Sequence, residues 1–70
     1  MNWKVGDLGF VTHDDDLMLI GKVFRVIYVS SNVCLSAKFL TLDRKTSLSP
    51  SYNSKFVQLP PAVRILYGIN

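Results

Sequence analysis

The residues best suited to chemistry stand together at His13-Asp14-Asp15-Asp16. An imidazole beside three carboxylates offers donors for a hard cation or an acid–base pair. The spacing argues against both. A calcium loop sets its acids at alternate positions around a glycine and closes on a glutamate. Here the acids are contiguous, Leu17-Met18 follows, and the chain has no glutamate. A catalytic role needs a defined partner and a pocket. Aspartates tolerate turn conformations and solvate a loop tip. The tetrad is therefore expected to be a wet hairpin tip, at most an acidic recognition edge.

Cys34 is the only cysteine and His13 the only histidine. No disulfide can form within the chain, and these two residues fall short of a nitrogen and sulfur zinc set. Cys34 falls on the polar side of an alternating segment, with no neighbour that would depress its pKa. No catalytic residue, metal ligand or cofactor site is expected, and the chain reads as a non-enzyme. A different chemistry comes from Lys38, Arg44, Lys45 and Lys55, which flank a serine-rich loop containing Tyr52. Cations beside an exposed aromatic bind single-stranded nucleic acid through phosphate contacts and base stacking.

The totals bound what can position these groups. Seventy residues make one domain, residues 1–70. A chain this short buries only about 60% of its unfolded surface, and its 49% hydrophobic content makes oligomerisation the available staple. The net charge is +3 and is uneven: −1 through Ala37 and +4 from Lys38 onward. A basic half attracts nucleic acid or an acidic protein surface. No secretory signal is visible, and the apolar stretch Leu17 to Val33 carries Lys22 and Arg25, which makes it a poor membrane span. A cytoplasmic protein with no membrane partner is the expectation.

Periodicity points to strands. Gly9 to His13 is predicted as the first, after a Gly-Asp turn. "LIGKVFRVIYV" is the strongest, and both of its faces are largely apolar. Its even positions include Phe24, Val26 and Tyr28. If the odd face fills the core, these three must be covered by a partner protein or a second copy of the chain. Ser30-Ser31-Asn32 turns the chain into "VCLSAKFLTL", where Val33, Leu35, Ala37 and Phe39 share a face and a parity shift toward Leu40 and Leu42 suggests a bulge. Residues 43–54 read as the longest loop. "KFVQL" is a short strand, Pro60 to Val63 a 3₁₀ turn, and "RILYGI" a last strand. The aromatics are mostly core by pattern, and Trp3 and Tyr67, near the chain ends, are placed alternatively to cover an open rim or an interface.

This layout resembles the SH3-like modules. The carrying residues are "KVGD" (Lys4 to Asp7), "GKVFRVI" (Gly21 to Ile27) and Pro60-Pro61-Ala62 before the final strand. The resemblance implies an all-β fold, a small five-stranded SH3-like barrel with a short 3₁₀ turn at Pro60–Val63. The end of the chain, "FVQLPPAVRILYGIN", is also similar in outline to the plasmid-borne type II dihydrofolate reductases, SH3-like chains that share one central pore among four copies. Val57 and Gln58 match their V-Q-I-Y motif, Leu59 is conservative, Pro60 replaces the tyrosine, and Ile69-Asn70 matches the end. That likeness implies a kinship of fold and would set Gln58 facing a pore.

Three functions follow in order of preference. The first is a small module that binds a protein through Phe24, Val26 and Tyr28, probing a host partner as short phage and mobile-element accessory proteins do, or self-associating as a homo-oligomer. The second is a nucleic-acid-binding barrel using Lys38, Arg44, Lys45, Tyr52 and Lys55. The third is an oligomeric pore-type ligand-binding protein or reductase centred on Gln58.

Overall fold

Alternating side chains become strands along most of the chain. The computed structural model describes residues 2–66, without the side chains of Arg64 and Ile65. Its strands are β1 (Leu8–His13), β2 (Val23–Ser31), β3 (Cys34–Phe39), β4 (Lys45–Leu48) and β5 (Lys55–Gln58). They form one open antiparallel sheet in the order β4-β3-β2-β1-β5, with β4 and β5 as its edges.

Two of these assignments correct the sequence reading. The segment 43–54, expected as loop, contains β4. Thr46 and Leu48 fall opposite Ala37 and Leu35, so an edge strand needs only Leu48 as its buried anchor. "RILYGI", expected as a strand, is helical as far as it is described: Ala62–Leu66 forms a short helix, α1, and residues 67–70, including Tyr67 and the Ile69-Asn70 match, lie outside the described residues. Two prolines fix φ near the helical value and cost nothing in a first turn. Val63 N–H donates to the Pro60 carbonyl at 3.0 Å, so the 3₁₀ contact expected there is the opening of α1. The 3₁₀ turns themselves lie at Leu17–Leu19 and Pro50–Tyr52.

The main core cluster occupies one face of the sheet, and Leu8 is buried outside that cluster. Trp3, Val11, Leu19, Phe24, Val26, Leu35, Ala37, Phe39 and Leu48 pack as one cluster, with Val29, Leu42 and Phe56 against it. Aromatic rings fill the centre. Phe24 lies 5.9 Å from Phe39 and from Phe56, and Trp3 packs 5.4 Å from Phe56 in an edge arrangement. Trp3 is thus a core residue rather than a rim cover.

Gly9 makes room for these rings. A Cβ there would stand 2.6 Å from Phe24 Cζ, 2.8 Å from Trp3 Cη2 and 2.8 Å from the Val57 carbonyl oxygen. Gly21 differs, having φ of 78° with open space around its missing Cβ. Gly9→Ala should therefore cost about 1–3 kcal/mol through overpacking, and Gly21→Ala about 1–2 kcal/mol through backbone strain alone. Urea midpoints check the costs. Ring-current shifts of the Trp3 and Phe24 resonances should move in the first variant and not in the second.

Candidate functional site

The acidic tetrad is not a freely solvated tip, because each aspartate holds a specific partner. Asp14 is buried and accepts from Ser54 Oγ at 2.5 Å and from Asp16 N–H at 2.8 Å. Asp15 accepts from Asn53 Nδ2 at 2.8 Å, and its own N–H donates to the Tyr52 carbonyl at 2.9 Å. Asp16 accepts from Met18 N–H at 3.0 Å, which caps the Leu17–Leu19 turn, and pairs with Arg44 Nη2 at 2.6 Å. The acids thus lace the β1–β2 connection to the Pro50–Tyr52 turn and to the β3–β4 connection. Hydrogen bonding from Arg44, then from the Met18 N–H, holds the Asp16 carboxyl below the ordinary aspartate range. No group of three or more metal-ligating side chains converges among the described residues.

This lacing divides the predicted nucleic-acid set. Arg44 is engaged by Asp16, and it shares with Tyr52 the wall of a cleft of about 390 Å³ lined also by the three aspartates. Lys55 stands on the rim of a second cleft, about 590 Å³, with Trp3, Val33, Pro50 and Phe56. Lys38 and Lys45 lie elsewhere, directly opposite one another on β3 and β4. The structure does not bring the five residues to one surface.

It brings Lys38 and Lys45 together with a residue the sequence reading left out. Arg25 on β2 lies directly opposite Lys38. Opposed residues in an antiparallel ladder project to the same side. Lys38 alternates with the buried Ala37 and Phe39, so its side is the outer face, away from the core. Arg25, Lys38 and Lys45 therefore form a continuous row across three strands, and on β1 it ends at the buried, apolar Leu8 opposite Arg25. The one ion pair among the described residues is Arg44–Asp16, so none of the row's three cations is neutralised by a described carboxylate.

The predicted protein interface is corrected in part. Phe24 and Val26 are fully buried members of the core. The register of β2 against β3 shifts between Val26 and Tyr28, so Ile27 is an extra residue and the inward parity passes from Val26 to Val29. Tyr28 turns to the outer face opposite Ser36 and is 61% exposed. The surplus apolar face is thus mostly this chain's own core. Of the proposed set only Tyr28 is accessible, one row along from Arg25-Lys38-Lys45.

Gln58 is held within the chain. Its Nε2 donates to Asp7 Oδ2 at 2.8 Å, and the same oxygen accepts from Lys4 N–H at 2.9 Å. The side chain ties β5 to the N-terminal turn. Cys34 is half-buried at the β2–β3 hairpin. No helix among the described residues is long and apolar enough to cross a membrane. No family model matches the chain, and no curated protein or solved structure matches it significantly.

The lacing predicts two outcomes. Ser54→Ala leaves the buried Asp14 oxygen without its partner and should cost about 1–3 kcal/mol in chemical denaturation. A loss below about 0.5 kcal/mol would mean that the bond is not formed in solution. Asp16, with its pKa depressed in the folded chain, contributes stability above the ordinary aspartate range and loses it as pH falls through the folded value. Carboxyl-detected NMR titration should find Asp16 below the ordinary aspartate range in wild type, and Arg44→Ala should raise it.

Proposed function

We propose that this chain is a small non-catalytic SH3-like binding module whose working surface is the outer face of the sheet, and that the face takes a polyanion. The strand order β4-β3-β2-β1-β5, with β5 against β1, is compatible with an SH3-like barrel. The observation that carries the functional reading is the row Arg25-Lys38-Lys45. Like charges directly opposite on adjacent strands are destabilising, and the row sets them opposite twice in succession. An external anion spanning the row relieves that repulsion. The charge of the second half, +4 from Lys38 onward, supports the same sign of partner.

A protein partner is a second reading, carried by a different surface. Leu17, Met18 and Ile20 are 77%, 64% and 40% exposed around one capped 3₁₀ turn. That cluster, rather than Phe24 and Val26, is where a protein contact would sit. It gives no indication of the partner's chemistry, so the anionic reading takes precedence.

The row makes stability and binding oppose each other. Lys38→Thr removes the central charge while keeping a good strand former. It should raise stability by about 0.2–1 kcal/mol and release the protein from a heparin column at lower salt than wild type. Destabilisation together with unchanged elution would overturn the reading.

A further inference from the structure

The outer face carries a second feature beside its charges. On β3, Ser36 stands two residues from Lys38 on the same side, which places its row about 7 Å along the strand. That row runs Tyr28-Ser36-Ser47 across the same three strands. Tyr28 is the exposed aromatic at one end, and the other two positions are short hydroxyls that leave its ring unobstructed. The face therefore presents parallel rows, one cationic and one that offers a ring and two small polar groups.

Resting on the polyanion reading, we infer that the occupant is a single strand of nucleic acid, with phosphates along Arg25-Lys38-Lys45 and a base stacked on Tyr28. Single-strand binders combine a positive track for the backbone with aromatic side chains for the bases. These rows place both within reach of one nucleotide. Arg25 and Lys38 lie on the central strands β2 and β3, away from the sheet's open edges. An acidic peptide adding as a strand needs an unpaired edge, and β2 and β3 offer none. The row spans three strands, about 10 Å at the usual strand spacing, which suits adjacent phosphates on a flexible backbone. Binding requires no base-specific hydrogen bond, so affinity should be tolerant of sequence.

The test is fluorescence anisotropy with labelled ten-nucleotide dT and rU strands, alongside polyphosphate of matched charge and vesicles containing anionic phospholipid. Three neutralised phosphates predict a slope near −2 in log affinity against log salt, at about 0.7 per phosphate. Lys38→Ala should flatten that slope by about 0.7. Tyr28→Ala should weaken oligonucleotide binding about 5- to 150-fold and leave the slope unchanged, as expected for the loss of one stacked base. Tyr28→Phe should restore binding and Tyr28→Leu should not. Lys4→Ala, in the N-terminal turn, should change neither quantity. Each variant's thermal unfolding is followed so that a weaker complex is compared only among folded proteins. If polyphosphate or the vesicles bind as tightly as the oligonucleotides and Tyr28→Ala is silent, the nucleic-acid inference falls while the anion-binding face stands. If no polyanion binds at low salt, both fall. An equal loss from Lys4→Ala and Lys38→Ala would show diffuse charge and overturn the assignment to this face.

Discussion

The extra residue at Ile27 is the constraint from which most of this structure follows. Up to Val26, β2 turns its even positions inward, and Phe24 and Val26 fill the centre of the core. After the bulge the odd position Val29 packs inward instead. Without that switch Tyr28 would compete for core space and Val29 would face water. The bulge therefore lets one strand with apolar residues on both faces serve a sheet whose main core lies on one side. Bulges also bend a strand and add to its twist.

The same constraint builds the outer face. The β2–β3 hairpin starts with Ser31 opposite Cys34, and a second irregularity lies between Val29 and Ser31. Continued without either shift, that register would put Arg25 opposite Leu40. The two shifts bring it opposite Lys38 instead. Cation row and aromatic neighbour are thus products of register and are absent from the linear order of the residues. Polar lacing supplies the remaining support. Without an internal disulfide, the segment between β4 and β5 is pinned by Asp14 to Ser54 and Asp15 to Asn53. These bonds link residues about 40 positions apart in the chain, where a small core has least to spare.

How much was legible in the sequence depends on whether a feature is local. Alternation in "VCLSAKF" gave the buried set Leu35, Ala37 and Phe39, while Val33, expected on the same face, is 54% exposed in the hairpin turn. Gly6 and Asp7 marked a tight turn, where Asp7 N–H does bond the Lys4 carbonyl. The failures are non-local. β4 has one buried apolar side chain, Leu48, and gains its place by pairing with β3. The aspartates read as solvated because their partners Asn53 and Ser54 lie far along the chain. Phe24 and Val26 read as surface residues under strict alternation, which hides the parity switch inside β2. Arg25 carries no local signal either, since its cross-strand neighbours depend on the two register shifts.

Charges on sheets often have an ordinary explanation, and here it reaches only part of the row. Edge strands carry lysines that discourage pairing with other chains. Lys45 on β4 and Lys55 on β5 fit that role, since both stand on the sheet's edges. It does not extend to Lys38 or Arg25, whose strands are paired on both sides. Solubility could be served by charges of either sign, and alternating signs across the row would have added attraction in place of repulsion. Three cations in register, two of them central and none matched by a described carboxylate, therefore run against what the sheet alone would favour. Local departures from the most stable choice are where function is expected to reside. In this chain the departure is on the outer face, opposite the core that the bulge at Ile27 completes.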